Sequence, residues 1–203
     1  MQATIFENRV DKPAGPYELQ SPGSRILKHY LRLLAKCTGP QLLDVGPVCG
    51  SNVTFFASHA GRLHVHDIIT RTPPAVTASG LASHIIDSLA YEQNSFDGIH
   101  VWDLFDHIDS ASLSAIVEKI SVLLKPRGLL VMITSNTSGQ QHFSQYFKVD
   151  AECCVTLQKS MTRRLPYYYR TNREIEKALK PLEQISSAIC TNGVREFLFR
   201  LPK

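Results

Sequence analysis

The stretch LLDVGPVCGSN, Leu42 to Asn52, leaves fewer folds open than any other part of this chain. A short apolar run between Pro40 and Gly46 has the length of a strand buried on both faces, and such strands belong to parallel sheets covered by helices. Two glycines four apart, Gly46 and Gly50, then turn the chain into a helical segment from Ser51 to His59, stopped by Gly61. A strand passing through a tight turn into a helix is the repeating unit of an α/β sheet.

The alternation continues on both sides. Ser24 is placed to cap a helix over Arg25 to Lys36, whose apolar face is Ile26, Leu27, Tyr30, Leu33 and Leu34. RLHVHD, Arg62 to Asp67, reads as a second strand ending on an acid. A third is expected in Ala82 to Ile86, ending at Asp87, and a fourth in FDGIHVWD, Phe96 to Asp103. Leu113, Ile116, Val117, Ile120, Leu123 and Leu124 share one helical stripe, after which Lys125-Pro126-Arg127-Gly128 turns into LLVMIT. A capping box at Thr171 to Glu174 starts a further helix. EQISSAIC and VREFLFRL then flank Asn192-Gly193, a strong hairpin signal, so the last strand is expected to be antiparallel.

A chain of 203 residues suffices for one domain, here residues 1–203, with an irregular arm over 1–24, where Pro and Gly cluster, and an insertion or lid over 135–170. Hydrophobic content of 43% and charged content of 20% exclude a disordered or fibrous chain. No apolar run reaches the roughly 20 residues of a membrane span, and Met1 to Asp11 lacks a signal-peptide pattern, which predicts a cytoplasmic protein without a membrane partner. Five cysteines without a CxxC argue for free thiols. The positive charge is local: Lys159 to Lys180 carries seven Lys and Arg against two Glu.

In an open α/β sheet the ligand sits beyond the carboxyl ends of the strands. Gly46 lets backbone approach a ligand closely, and the N–H groups of Ser51 and Asn52 begin a helix. Val48 stands where a dinucleotide fingerprint needs its second glycine, Pro47 removes a donor, and no G-K-[ST] follows, so a phosphate cradle is not expected. A nucleoside without phosphates fits better. His64 and His66 share one strand face, but the H-x-H-x-D-H pattern is not completed and no metal is expected.

These segments together resemble the class I S-adenosylmethionine-dependent methyltransferases. LLDVGPVCGSN is similar to that family's first motif, HVHDI to its second, DSLAYEQNSFDGIHVWD to its third and fourth, and LLKPRGLLVMIT to its turn into strand five. The resemblance covers Gln41 to Thr134 and, in outline, the last 20 residues. It implies a Rossmann-like, seven-stranded, mostly parallel sheet with an antiparallel C-terminal hairpin strand and helices on both faces. S-adenosyl-L-methionine is the implied cofactor, framed by Asp44, Gly46, Pro47, Gly50 and Asn52. Asp67 is implied for the ribose with Ile68 beside it, and Asp87 and Ser88 for the adenine, with Trp102 completing the site. The family usually has glycine where Val48 stands, and a β-branched residue there is expected to narrow or re-angle the pocket.

Methyl transfer needs a base only where the acceptor must lose a proton, and Asp103 and His107 in WDLFDHID are the candidates, with Asp106 nearby. Substrate choice is assigned to the polar and aromatic 135–170 segment, through Tyr168 and Arg170 in RRLPYYYR. A small-molecule acceptor is the first expectation. RNA is the second, motivated by the basic segment, and a methyltransferase-like scaffold without catalysis is the third. Nothing in the sequence points to an oligomeric state.

Overall fold

The computed structural model describes residues 23–68, 77–135, 143–190 and 194–203. Helix α1, Arg25–Leu34, is capped as its sequence demands: the Ser24 hydroxyl accepts from the Leu27 N–H at 2.9 Å. Strand β1, Gln41–Val45, leads through the glycine turn into α2, Gly50–Ala57, and β2, Arg62–His66, follows. Then come α3, Ala78–Ser88, β3, Phe96–Trp102, a 3-10 turn over Leu104–His107, and α4, Ser110–Leu123. Strand β4, Leu124–Ser135, is followed by β5, Phe143–Val149, and β6, Val155–Arg164. Helix α5, Asn172–Ala178, and strands β7, Glu183–Ile189, and β8, Val194–Arg200, close the chain.

Six strands form the main sheet in the order β2-β1-β3-β4-β8-β7. The first four are parallel, and β8 runs antiparallel to both β4 and β7. The Asn192-Gly193 turn lies outside the described residues, but its two flanking strands pair as expected. One apolar cluster packs α3, α4 and α5 on one face of the sheet. A second packs α1, α2 and the β5–β6 hairpin on the other. Among the described residues no helix is long and apolar enough to cross a membrane.

Two expectations are corrected. The sheet has six strands, not seven, because the segment expected to be a third strand is the body of α3. Leu81, Ala82, Ile85 and Leu89 are buried, a helical stripe, and the Thr77 side chain caps the helix by accepting from the Gly80 N–H at 3.1 Å. The apolar pair Ile85-Ile86 looks like a strand only while that spacing is ignored. The insertion after β4, in turn, contains its own two-stranded sheet, β5 with β6. The Lys125–Gly128 turn is a bulge within β4, with Arg127 at φ 68 and the register against β3 shifting between Phe96 and Gly98.

The central strands start from a common anchor. The Asp97 carboxylate at the foot of β3 accepts from the Gln41 N–H of β1 at 2.8 Å and from Lys125 Nζ of β4 at 2.7 Å. Four parallel strands thus end at one edge, where their loops gather.

Candidate functional site

Gly46 follows β1 at that edge, Asp67 follows β2, and Asp103 follows β3. Gly46 is buried, and a Cβ placed on it would stand 2.6 Å from Cδ1 of Trp102, so only glycine lets the turn lie against the indole. The next residues turn outward: Val48 is 62% exposed, and nothing stands within 4 Å of where a Gly50 Cβ would be. The Val48 side chain faces solvent, while its N–H points to Asp67 Oδ2 at 3.4 Å. Turn and second-strand acid, 19 residues apart, come together.

Beneath the turn, Asp44 is 2% exposed and accepts from Trp102 Nε1 at 2.5 Å. Burial lifts its carboxyl to about 7, against the smaller lowering effect of the indole bond. Trp102 sits at φ 44, the left-handed region, which aims the ring back over Asp44 and Gly46 instead of along the strand.

Asn52 has a task the sequence did not reveal. Its side chain donates to the Phe147 carbonyl at 2.6 Å and accepts from the Val149 N–H at 2.8 Å, so it clamps β5 onto the first turn of α2. The Phe147 ring stacks on Trp102 with centroids 5.8 Å apart and 10° between planes. At the hairpin's bend, the Cys153 carbonyl accepts from the Ser24 N–H at 2.7 Å. The hairpin is thereby tied to α2 at one point and to the start of α1 at another.

Asp106 and His107 are buried in the 3-10 turn after β3, and Asp103, at the N-cap position of that turn, is buried too. His107 Nδ1 is 2.7 Å from the Pro166 carbonyl, which requires a proton on that nitrogen, and Nε2 faces Asp103 Oδ2 at 3.6 Å. Burial pushes the imidazole pKa down, but Asp103, the Pro166 carbonyl and Asp106 outweigh it, and the net direction is up. Asp106 is bound by the Thr134 hydroxyl, 2.7 and 2.6 Å from its two oxygens. Arg195 joins Thr134 at 3.5 Å to the Arg170 carbonyl at 2.7 Å and Asn172 Oδ1 at 3.0 Å. Tyr168 hangs from the same turn, its N–H donating to the Asp106 carbonyl at 2.7 Å. Arg170 is buried, with its guanidinium donating to the carbonyls of Phe105, Ile108 and Tyr168. It fastens the Tyr167–Arg170 segment to the turn, and the substrate-binding task expected of it gives way to this structural one.

Other sequence candidates lie elsewhere. Ile68 is buried in the cluster under α3 and α4. Asp87 and Ser88 occupy the last turn of α3, Asp87 exposed and Ser88 donating to the Ile85 carbonyl. The strand tip expected to carry these two residues is the end of a helix instead. His64 and His66 pack edge-on against Tyr91, with centroids 5.5 and 6.2 Å apart. Phe147, Thr134 and Arg195 were missed. Arg195-Glu196 inside the apolar run VREFLFRL was the available signal, because a charged pair there must be buried and partnered.

A family profile described as a methyltransferase domain matches residues 18–180. A comparison with curated proteins finds no match. Among solved structures, this chain is similar to the Burkholderia thailandensis 1,6-didemethyltoxoflavin N1-methyltransferase with bound 1,6-didemethyltoxoflavin and S-adenosylhomocysteine. The identity is 15% over 88% of this chain and 78% of that one, with a TM-score of 0.53. It is also similar to an S-adenosylmethionine-dependent methyltransferase from Mesorhizobium loti, at 15% identity over 85% and 96% of the two chains and a TM-score of 0.51. The N-methyltransferase NodS from Bradyrhizobium japonicum matches at 15% identity over 88% and 97%, again with a TM-score of 0.51. At such identities the likeness is one of fold, while the profile spans most of the chain, and the chain belongs to the methyltransferase-domain family, whose cofactor is S-adenosyl-L-methionine.

Proposed function

We propose that this protein transfers the methyl group of S-adenosyl-L-methionine to a small-molecule acceptor, with the cofactor held at the turn between β1 and α2. The observation that carries this reading is the approach of Asp67 to the Val48 N–H across a turn whose outer side is open at Gly50. The residues suit the ligand chemically: a nucleoside with a sulfonium and an ammonium group meets two carboxylates, Asp44 and Asp67, and no phosphate cradle. Asp67 accepts from the ribose hydroxyls. Asp44 supplies negative charge from below, where a cation would offset the burial that raises its carboxyl to about 7. Gly46, Pro47 and Gly50 give the backbone edge, and Asn52 and Trp102 shape it by holding the hairpin.

The sulfonium brings an activated methyl group, so the chain's work is orientation, which can be worth roughly 7 to 11 kcal/mol. His107, oriented by Pro166, and Asp103 form the pair available to take a proton from an acceptor that must lose one. Tyr168 belongs to the segment passing over that pair, and Arg170 holds it there. The reading takes residues 1–203 as one catalytic unit and 135–170 as its lid. The relative crystallised with 1,6-didemethyltoxoflavin supports a small acceptor.

Trp102 is the single tryptophan of the chain and lies against Gly46, so its emission reports on the turn. Titration with S-adenosylhomocysteine is expected to change Trp102 fluorescence saturably, and Asp67→Ala to weaken binding by about tenfold, or roughly 1.4 kcal/mol. No fluorescence change and no thermal shift at millimolar ligand would overturn the reading in favour of a scaffold. Tight, strongly salt-dependent RNA binding would move the acceptor to RNA.

A further inference from the structure

At the opposite edge of the sheet, where β3 and β4 begin, β8 ends and α1 stops, lies a cleft of about 370 Å³. Its floor is apolar, with Leu34 and Leu129 buried and Leu33 and Pro126 beside them, and its lining also carries four cations, Lys36, Lys125, Arg127 and Arg200, against one carboxylate, Asp97. We propose that this cleft is a second ligand site, specific for a small anion with an apolar body, such as a phosphate monoester or carboxylate bearing an aromatic ring.

The charge balance supports this. Asp97 is already committed to the Gln41 N–H and to Lys125 Nζ, so among the described residues that line the cleft no carboxylate is left to pair with Lys36, Arg127 or Arg200. The last carbonyls of α1 are also taken: Leu33 accepts from the Lys36 N–H at 3.2 Å and Leu34 from the Cys37 N–H at 2.8 Å. The Cys37 thiol on the rim is raised by burial and by Asp97, although Lys125 lowers it, so at neutral pH it adds no negative charge. Glu183 sits opposite Arg200 in the β7–β8 register but does not line the cleft, and among the described residues no ion pair joins the two.

The backbone beneath the rim is fixed. Arg127 stands in the left-handed region within the β4 bulge, and the Leu201 N–H donates to the Gly128 carbonyl at 2.9 Å, tying the bulge to the end of β8. Cations gathered around an apolar lining attract an anion most strongly when its apolar part covers that lining. A phosphate alone would leave Leu33 and Leu129 uncovered, and a neutral ring would leave the cations unanswered. The volume lies within the range of pockets that take a small ligand, on the order of 300 to 1,000 Å³.

The test is an amide-resolved NMR titration of the full chain with phenyl phosphate. Saturable shifts are expected at Cys37, Gly128 and Leu129, with Gly46 and Gly50 unmoved. Inorganic phosphate and benzyl alcohol should each bind at least about tenfold more weakly. Lys36 and Arg127 are exposed, so the Lys36→Glu, Arg127→Glu variant is expected to fold and to lose binding; Lys36→Gln checks the result should the double variant fail to fold. Shifts that do not saturate, that map elsewhere, or that survive charge reversal would overturn the proposal. Equal affinity for inorganic phosphate would overturn its apolar part. Tighter binding of an RNA oligonucleotide at the same amides would replace a small ligand with a nucleic-acid backbone.

Discussion

Asp44, near the end of β1, carries a carboxyl that burial raises, and the sign of that effect can be tested. Its folded carboxyl is raised from 3.8 to about 7, so the folded state holds a proton that the unfolded state releases. Stability is therefore fullest below the unfolded value and is lost as pH rises towards the folded one, by up to about 1.4 kcal/mol per pH unit. His107, also raised, loses stabilisation in the same direction above its ordinary value of 6.5. Asp44→Asn isolates the first effect, because an amide oxygen can still accept from Trp102. Urea midpoints should fall between pH 5 and pH 8 in the wild type and fall less in the variant. Gly98 makes a steric counterpart: a Cβ there would collide with the Tyr30 hydroxyl, which bonds His100 Nε2 at 2.8 Å. Gly98→Ala should cost about 1 to 3 kcal/mol of unfolding free energy by overpacking. At this scale the sequence showed Gly46, Asp67 and Asp103 at strand ends but set Asp87 and Ser88 at one that is helix, and it did not show where the side chains point. Val48 facing solvent and Trp102 turned back over Gly46 depend on backbone angles that composition does not encode.

Among the elements, the β5–β6 hairpin and α3 were the least legible. The hairpin has mixed polar and aromatic residues without clean alternation, and its seat is fixed by contacts far away in sequence. Asn52 reaches Phe147 and Val149, 95 and 97 residues on. Asn52→Ala should strand a buried carbonyl and a buried N–H, at about 1 to 3 kcal/mol each. Hydrogen exchange should report it as faster exchange at Val149 and along β5, while β1 and β3 stay protected. The helices with local signals were read correctly. The capping box at Thr171 and Glu174 forms, with the Thr171 N–H donating to Glu174 Oε2 at 2.7 Å and the Glu174 N–H to Thr171 Oγ1 at 3.3 Å. Thr171→Ala is expected to cost about 1 kcal/mol in chemical denaturation.

Across the whole molecule, the parallel core and the antiparallel ending were legible because both follow from local patterns: apolar runs between helices, then two strands about a tight turn. Strand count was not, because α3 and a strand compete for the same residues and only packing against α4 decides. Long-range ties were equally hidden. Ser24 donates to Glu196 Oε2 at 2.6 Å, joining the first described helix to the last strand across 172 residues, and the other Glu196 oxygen is buried with no partner among the described residues. Ser24→Ala therefore removes both a helix cap and the partner of a buried carboxyl. Its cost should exceed the roughly 1 kcal/mol of an ordinary cap, and a denaturation midpoint compared with that of Thr171→Ala would measure the excess. Asp97 acts on the same scale with a single side chain. Slide β1 or β4 by one residue against β3 and a bond at that carboxylate is lost, while apolar side chains swap faces. One acid at the foot of the sheet thus works like a surveyor's datum, setting the height at which Gly46, Trp102 and Thr134 emerge at the far rim.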